Sequence, residues 1–401
     1  MRKIACSMAY MRMSRSPKTG VTTGEVFGLI RDGAVNTRSD IGRITGLSRT
    51  AVAARVSTLE ASGLVLERPE AASTGGRPPA RLVFNAQAGV VLAAAIGRSR
   101  TQLGVCNLAG EVLTMSDVDQ EIGVGPDELM PDIAKRLEVL LDESGRKHAE
   151  IRGVGLSIPG TADTNRGCSL DSPSMNGWDG VPLAPYLGEL TQAPVRLDND
   201  ANVIVLSERR GQRDRFDDML LIKASTGLGA GIVAGGMLQR GSVGAAGEFG
   251  HTKISAAAGM VCRCGDTGCL EAIAAGWALV QALQQRGRNV GHIRDLVDLA
   301  VHADPEARRL IREAGRHIGE VLAGAVNLLN PDALVIAGDM ANAYDILVAG
   351  LRETVYGNAT AVATRELQIL PSTHGDQSGV IGSAAMILDH VLSGEAIDAA
   401  I

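Results

Sequence analysis

The sequence lacks any apolar run long enough to cross a bilayer, which argues against an integral membrane protein. Its basic N-terminal stretch is not followed by an uninterrupted apolar core or a cleavage site, so we expect no signal peptide. Cysteine is also scarce, with 6 residues in 401. Because a cytosolic chain keeps its thiols reduced, we expect a cytoplasmic protein whose cysteines are not paired in disulfides.

The chain is long and apolar enough for two or three domains, since 45% of its 401 residues are hydrophobic. Charge is distributed unevenly along it. Residues 1–90 hold 13 Lys/Arg and 6 Asp/Glu, whereas the remainder holds 26 and 39. A basic arm on an acidic body indicates a polyanionic partner for the arm alone.

Three of the cysteines fall within eight positions, in "VCRCGDTGCLE" (261–271). Such a group fits a disulfide with a spare thiol, a redox pair, a metal knuckle or a chance cluster. With reduced thiols, Cys262, Cys264 and Cys269 become soft ligands for zinc, which takes four ligands in a tetrahedron. The nearest upstream candidate for the fourth ligand is His251. The alternative is that His251 is an ordinary surface or core histidine and that the three thiols are free. We predict one structural zinc per chain, in a closed site that braces a loop.

Residues 21–86 have the pattern of a winged helix-turn-helix. "TTGEVFGLIRDG" predicts a first helix, and residues 37–65 then predict a helix, a turn and a second helix. Thr37 and Ser48 are the expected N-caps, and Gly46 makes the turn. "LVLERPE" and "PARLVFN" predict the two strands of a wing. A three-helix module that contacts another protein is the alternative.

The second helix of this pair is the candidate recognition helix. Val52, Val56 and Leu59 recur at i, i+4 and i+7 and predict its buried stripe, while Ile41 and Ile44 are expected to face inward from the helix before it. Outward residues near the N-terminal end of a recognition helix meet base edges and phosphates. An arginine at a wing tip stiffened by glycine and proline is suited to a narrow minor groove. The predicted DNA-binding residues are Arg38, Ser48, Arg49, Thr50, Ala53, Arg55 and Arg77.

From residue 88 the pattern changes to short apolar strands alternating with helical stretches, which indicates an α/β fold. "AGVVLAAAIG" and "IRGVGLSIPG" each predict a buried strand that ends in a glycine. "RTQLGVCNLAGEVL" predicts two strands around a turn at Ala109 and Gly110, and "DMLLIKASTGLGAGIVAGG" predicts two strands around a glycine-rich turn. A long helix near residues 305–330 precedes a late strand in "PDALVIAGD".

These segments resemble the ROK family (repressor, open reading frame, kinase), in its subgroup with an N-terminal winged helix. The matching elements are "SIPG", "NGWDGVPL", "DNDAN", "STGLGAG", "GAAGEFGH", "CRCGDTGCLE" and "NLLNPDALVIAG". The resemblance implies a two-lobed actin-like/RNase H-like fold with a sugar in its cleft, and ATP beside the sugar in the kinase members. The expected divisions are a basic tail (1–20), the winged helix-turn-helix (21–86) and a ROK domain (87–401), with one lobe at about 87–198 plus 380–401 and the other at about 199–379.

A sugar receptor needs hydrogen-bond donors and acceptors at several angles, which carboxylates and amides supply. Such residues stand here beside glycines, turns and the cysteine cluster. For Asn199 and Asp200 a simple helix N-cap is the alternative. The resemblance implies that His251 binds zinc through one ring nitrogen and sugar through the other. The implied sugar-binding residues are Gly160, Asn176, Asn199, Asp200, Glu248, His251 and Glu271.

The nucleotide side departs from the pattern of the family's kinases. Those read Asp-x-Gly-Gly-Thr after the first strand, where the acid helps place magnesium and the turn holds phosphate. Here the segment is "AIGRSR", in which Ala95 replaces the acid and Arg98 the second glycine. Two further turns carry Ser225 and Asp339 where glycine is usual. Asp200 keeps the position of the family's general base, so we expect the sugar side to be retained and phosphoryl transfer to be lost.

The preferred hypothesis is a sugar-responsive, DNA-binding transcriptional regulator, expected to be a repressor and not an enzyme. A sugar or sugar phosphate would close the cleft, change the geometry between two winged helices of a homodimer or dimer of dimers, and shift the affinity for double-stranded operator DNA. The alternatives are a working sugar kinase with a DNA-binding arm, and a DNA-binding protein whose body binds no ligand. Arg98 and Arg100 fit a phosphorylated effector or are surface arginines.

Overall fold

A computed structural model describes residues 20–69, 80–120, 123–170, 175, 177–211 and 216–401. These residues form two compact units. The smaller comprises the described residues up to Ala88 together with Leu392–Ile401, and the larger is Gly89–Val391. Two residues of the predicted sites, Arg77 and Asn176, lie outside the described residues.

Helices and strands alternate along most of the described chain, as the sequence pattern indicated. The helices are α1 (Thr23–Arg31), α2 (Arg38–Thr45), α3 (Arg49–Ala61), α4 (Pro126–Glu143), α5 (Asp200–Gly211), α6 (Glu271–Ala274), α7 (Gly276–Gln284), α8 (Ile293–Val301), α9 (Pro305–Leu329), α10 (Tyr344–Asn358), α11 (Ala361–Thr364), α12 (Ser378–Val391) and α13 (Gly394–Ala400). The strands are β1 (Val65–Pro69), β2 (Ala80–Phe84), β3 (Val90–Ile96), β4 (Arg100–Asn107), β5 (Val112–Asp119), β6 (Ile151–Ile158), β7 (Thr161–Asp163), β8 (Cys168–Leu170), β9 (Val195–Asn199), β10 (Met219–Ala224), β11 (Leu228–Ala234), β12 (Met237–Gln239), β13 (Ala333–Ala337) and β14 (Gln368–Pro371).

The smaller unit begins with the three predicted helices. Thr37 caps α2 and Ser48 caps α3, each by accepting a hydrogen bond from a backbone N–H of the first turn. Gly46 ends α2 with φ at 73°, a left-handed conformation that glycine adopts without strain. The predicted caps and turn are confirmed. β1 and β2 then pair in antiparallel fashion, as expected for the strands of a wing.

The apolar stripe of α3 forms the centre of this unit. Val52, Val56 and Leu59 are at most 2% exposed, which confirms the prediction from their spacing, and Ile41 of α2 is fully buried. The prediction for Ile44 was wrong, because this side chain is 48% exposed. α2 has only 8 residues and buries Ile41 alone. Ile44 therefore lies at the rim of a shallow groove and not in the core.

The C-terminal helix α13 packs on α1 within the same unit. The backbone N–H of Gly24 donates to Asp398 Oδ1 at 2.7 Å, and Arg31 Nη1 donates to the carbonyl oxygen of Leu392 at 3.0 Å. A Cβ atom on Gly24 would lie 2.0 Å from the carbonyl oxygen of Gly394, so this approach requires glycine. The last ten residues therefore belong to the smaller unit, whereas the sequence analysis placed residues 380–401 in one lobe of the ROK domain.

The larger unit contains two five-stranded sheets with the same topology. Their strand orders are β5-β4-β3-β6-β9 and β12-β11-β10-β13-β14. In each sheet the first three strands are antiparallel neighbours and the last two run parallel to the central strand. This duplicated mixed sheet is the two-lobed α/β fold that the resemblance implied.

Helices α5 and α12 pack against each other between the two sheets. Their close approach depends on small residues, since a Cβ atom on Gly382 would lie 1.8 Å from the carbonyl oxygen of Val203. The main apolar clusters lie on the other faces of the sheets, one under α4 and one under α8, α9 and α10. The space left at the carboxyl ends of the central strands is the usual position of a ligand in α/β folds.

Among the described residues, no single helix is both long and apolar enough to cross a membrane. Gly375–Val391 and Gly394–Ala400 meet the requirements of length and composition only when they are taken together. Val380 and Ile387 of the first segment are fully buried in the larger unit.

Candidate functional site

A cleft with a cavity volume of about 180 Å³ opens at the carboxyl ends of β3, β6, β9, β10 and β13. The structure brings together every predicted sugar-binding residue that it describes. These lining residues are Gly160, Asn199, Asp200, Glu248, His251 and Glu271. Whether they contact a sugar stays a prediction, and Asn176 lies outside the described residues.

Both the oxygen and the nitrogen of the Asn199 side-chain amide form hydrogen bonds within the protein. Oδ1 accepts hydrogen bonds from the backbone N–H groups of Ala201 and Asn202 at 2.8 and 3.2 Å, which caps α5. Nδ2 donates to the carbonyl oxygen of Gly160 at 2.8 Å. The helix-cap alternative is therefore what the structure shows for Asn199, and the same side chain positions the corner after β6.

Asp200 forms an ion pair with Lys223, a residue that the sequence analysis missed. The side chain of Asp200 is 14% exposed and that of Lys223 is 22% exposed, so water screens this pair less than a surface pair. Lys223 is the one charged residue of the buried strand "MLLIKA". A single lysine in an apolar strand could have indicated this ion pair, because a buried cation needs a partner.

Glu271 is a buried carboxylate, 2% exposed, at the start of α6. Its Oε1 accepts a hydrogen bond from the backbone N–H of Leu228 at 2.7 Å, which ties it to the glycine-rich turn between β10 and β11. Its Oε2 is buried and has no hydrogen-bond partner in the described part of the chain. The Oγ atom of Ser157, a residue that also lines the cleft, is likewise buried without a hydrogen-bond partner in the described part of the chain. Unpaired buried polar atoms cost about 1–3 kcal/mol each, so they mark a place for a polar ligand.

Ser225 and Asp339, which replace two glycines of the family's kinase pattern, bond to each other. Ser225 Oγ donates to Asp339 Oδ2 across the ends of β10 and β13. The two turns are in tight contact, since a Cβ atom on Gly338 would lie 2.6 Å from the carbonyl oxygen of Ala224. Ala95 lines the same region of the cleft and supplies no carboxylate there. The substitutions on this side of the cleft are therefore structurally connected.

The two arginines of "GRSR" have different environments. Arg100 Nη2 pairs with Asp117 at 2.7 Å. Burial opposes ionisation of Arg100, but the hydrogen bond to Asp117 and the charges of Asp117, Asp376 and Asp339 together outweigh it and raise the pKa of the guanidinium. Arg98 makes no hydrogen bond or ion pair with any described residue, although its Nη1 is buried. Ser99, between them, bonds His292 Nε2 at 2.8 Å, and burial lowers the pKa of that histidine.

The cysteine cluster closes around His251 at one side of the cleft. The Sγ atoms of Cys264 and Cys269 are 3.7 Å apart, and Cys262 Sγ is 3.8 Å from His251 Nδ1. All four ligand atoms lie within 4.8 Å of one another. Ligands about 2.3 Å from a tetrahedral zinc ion are separated by about 3.8 Å, so the four side chains fit zinc. The spacing excludes a Cys264–Cys269 disulfide, whose sulfurs would be about 2.05 Å apart.

Tight turns hold the loop that carries these cysteines. Gly265 and Gly268 have φ values of 92° and 82°, in the left-handed region that favours glycine. Lys253 Nζ donates to Cys269 Sγ at 3.0 Å, the kind of outer contact that orients a metal ligand. The two glycines therefore permit the tight turns that bring the three thiols together.

His251 ends a short 3₁₀ helix, Phe249–His251, and connects the cluster to the cleft. Its Nδ1 faces Cys262, while its Nε2 lies 3.8 Å from Glu248 Oε2. Glu248 Oε1 in turn accepts a hydrogen bond from Thr161 Oγ1 at 3.2 Å. One ring nitrogen thus faces the thiols and the other faces a carboxylate of the cleft.

The predicted DNA-contacting residues of α3 lie on the surface of the smaller unit. Ser48, Arg49, Thr50 and Ala53 are exposed. Arg49 has no hydrogen bond or ion pair with any described residue. Four neighbouring exposed positions at the start of one helix provide the kind of surface that a recognition helix needs.

Two other arginines of the predicted DNA interface are engaged within the unit. Arg38 pairs with Glu60 at 3.2 Å and Glu67 at 2.7 Å. Arg55 is half-buried, and its Nε donates to the carbonyl oxygen of Val21 at 2.7 Å. Their contact with DNA stays a prediction, and it would require rearrangement of these bonds.

Comparison with known proteins decides the family. The profile of the ROK family matches residues 91–390. The chain belongs to the ROK family. A xylose repressor of Caldicellulosiruptor bescii is 28% identical over 382 residues, covering 92% of this ROK protein and 95% of the repressor. The crystal structure of a ROK family transcriptional regulator, a homologue of the E. coli Mlc protein, matches with a TM-score of 0.78 at 25% identity and covers 94% of this chain and 98% of its own.

A kinase of the same family is related over a shorter part of the chain. The glucokinase of Halalkalibacterium halodurans is 29% identical over 307 residues, which covers 93% of the glucokinase but 73% of this ROK protein. The regulators therefore match this chain over nearly its whole length, whereas the kinase matches about three quarters of it.

Proposed function

We propose that this ROK protein is a sugar-responsive transcriptional repressor that binds operator DNA through its smaller unit. The observation that carries the proposal is the match of a repressor over 92% of the chain, compared with 73% for the glucokinase. The positive charge of residues 1–90 and the exposed N-terminal end of α3 support the DNA-binding half. We also propose that two chains act together as a homodimer, so that closure of the cleft alters the geometry between two DNA-binding units.

The polar cleft supports the sugar-binding half of the proposal. Glu271 Oε2 and Ser157 Oγ are buried without partners in the described part of the chain, and Asp200, Glu248 and His251 line the same space. A polyol supplies several hydroxyl groups that both donate and accept, so it satisfies such atoms together. We propose that a zinc ion held by His251 and the three cysteines braces the loop before Glu271 and has no role in chemistry, because its four ligands leave no open position.

We propose further that kinase activity has been lost. A general base must take a proton from the attacking hydroxyl, but Asp200 Oδ2 already accepts a hydrogen bond from Lys223 Nζ within an ion pair. Ala95 offers no carboxylate for magnesium, and the Ser225–Asp339 bond joins the turns that family kinases use for the nucleotide. The second candidate function is a bifunctional kinase and regulator, favoured by the retained Asp200 and by the glucokinase match.

Asp200→Asn tests sugar sensing and kinase loss together. Wild type with Mg²⁺ and ATP should release no ADP above background with any member of a panel of hexoses, pentoses and amino sugars. The variant should lose about 1–3 kcal/mol of sugar affinity, the range for a hydrogen bond to a charged group, and should still bind operator DNA. Calorimetric titration, a coupled ADP assay and operator binding with and without sugar measure these effects. Sugar-dependent ADP release by wild type that Asp200→Asn abolishes would establish the bifunctional alternative.

Arg49→Ala tests the DNA interface. Operator affinity should fall at physiological salt, and the slope of log affinity against log salt should decrease by about 1, because one phosphate contact is lost. Arg136→Ala is the matched control, since it removes an exposed arginine of α4 in the larger unit. Fluorescence anisotropy over a salt series measures both variants. Wild-type operator binding by Arg49→Ala would favour the protein-contact alternative for this helix.

A further inference from the structure

Arg98 is a cation of the cleft without a partner among the described residues. It follows β3, lines the cleft, and makes no hydrogen bond or ion pair there, while its Nη1 is buried. A buried donor on a charged group is costly to leave unpaired. The other arginine of this segment, Arg100, is already paired with Asp117. Arg98 is therefore available to a ligand in a way that Arg100 is not.

The space beside Arg98 has a donor on one side and an acceptor on the other. A Cβ atom on Gly227 would lie 3.7 Å from the guanidinium carbon of Arg98 and 2.6 Å from Glu271 Oε1. Gly227 thus keeps open a region that both side chains border. The guanidinium supplies donors, and the unpartnered Oε2 of Glu271 is an acceptor. A ligand that carries an oxyanion on a hydroxylated framework suits this pair.

The other charges of the cleft permit an anion there. Asp200 would repel it, but Lys223 forms an ion pair with Asp200 and neutralises that charge. Asp339 accepts a hydrogen bond from Ser225, and together with Asp376 it lies close enough to Arg100 to raise the pKa of that guanidinium. Asp200 and Asp339 are therefore balanced by a cation or bonded to a donor. Glu271 remains beside Arg98 with one unpartnered oxygen, which a donating hydroxyl of the ligand framework would satisfy while the oxyanion meets Arg98.

We propose that the effector is a sugar carrying an oxyanion, either a phosphoryl group or a carboxylate, and that Arg98 binds this group while Lys223 neutralises Asp200. The inference rests on the proposed sugar-sensing function and names the class of its ligand. A planar guanidinium recognises phosphate and carboxylate with two parallel hydrogen bonds, which a lysine or a hydroxyl at this position would not provide.

Titration calorimetry with matched neutral and anionic sugars tests the inference. The probes are glucose, glucose 6-phosphate and glucuronate, with N-acetylglucosamine and xylose and their phosphates, added to full-length protein. One anionic sugar should bind at least about tenfold more tightly than its neutral parent, and Arg98→Gln should remove most of that preference. Lys223→Met should weaken the same anionic ligand, because Asp200 is then uncompensated. The phosphate and uronate arms distinguish the two sources of the oxyanion.

Arg312→Gln is the charge-matched control, because Arg312 pairs with Glu353 on an exposed surface and does not line the cleft. It should bind every probe as wild type does. Tighter binding of neutral sugars, or an anionic preference that survives Arg98→Gln, would overturn the inference and leave sugar sensing intact. If no sugar of either kind binds or alters operator affinity, the sugar-sensing proposal fails and this inference fails with it.

Discussion

Cys269→Ser should release the metal and disrupt the sugar side of the cleft. Cys269 Sγ lies 3.7 Å from Cys264 Sγ, and Glu271 follows two positions later with a hydrogen bond to Leu228. Zinc binding contributes about 10–16 kcal/mol to the folding of zinc-finger peptides, whereas the free energy of unfolding of a protein is usually about 5–15 kcal/mol. Losing even part of the binding free energy is therefore a large loss of stability. We expect metal content to fall from about one zinc per chain to none, with a marked fall in melting temperature and loss of sugar binding. Elemental analysis, calorimetry and sugar titration measure these quantities.

Cys168→Ser is the matched control for the metal site. Cys168 is a fully buried free thiol outside the cluster, so the same chemical change should leave the metal in place. Freshly purified wild type without zinc, or Cys269→Ser that retains one equivalent, would show that the cluster is not a metal site.

Deleting Leu392–Ile401 should destabilise the smaller unit and abolish operator binding. The segment buries Leu392 and Ile397, which are 5 and 4% exposed, and it provides the partners of Gly24 and Arg31. Burial of two such side chains is worth about 3–6 kcal/mol, a large share of the stability of a small domain. Sugar binding should persist, because the cleft belongs to the larger unit. Operator binding, sugar titration and calorimetric unfolding of the full-length and shortened proteins measure the outcome.

A pair of glycine variants tests the same contact without a deletion. Gly24→Ala places a methyl group 2.0 Å from the carbonyl oxygen of Gly394 and should reproduce the loss of operator binding. Gly28→Ala, on the same helix, meets no atom within 4 Å and should be neutral or slightly stabilising, because alanine has the higher helix propensity. Full operator affinity in the shortened protein or in Gly24→Ala would show that α13 has no part in the DNA-binding unit.

Local signals predicted the elements of the fold well. The caps at Thr37 and Ser48, the turn at Gly46 and the buried stripe of α3 depend on residues within one or two turns of each other, which a sequence pattern records directly. Ile44 shows the limit of such patterns. Its spacing from Ile41 suits a buried face, but burial depends on whether another element covers that position, and no element of the described residues does.

The polar pairs of the cleft were not predictable in the same way. Asp200 and Lys223 are 23 residues apart, and Ser225 and Asp339 are 114 apart. Each residue was visible in the sequence, and three of the four were singled out, yet no pattern indicated which would bond. Such pairs form because separate strands end at one edge of the fold, so the partner of each group depends on the packing of whole elements.

By itself, the sequence determined the α/β class, the family resemblance and the four candidate metal ligands. Each of these depends on residue types that lie close together along the chain. Only the tertiary structure decided which charges are already balanced. Arg98 and Arg100 are the same residue type two positions apart, but Arg100 meets Asp117 on the neighbouring strand and Arg98 meets no such partner in the described residues. The tertiary structure also joined α13 to α1 across almost the whole chain. Both outcomes depend on contacts that form only when separate elements pack together. Such contacts contribute to stability in the folded state, and no local sequence pattern records them.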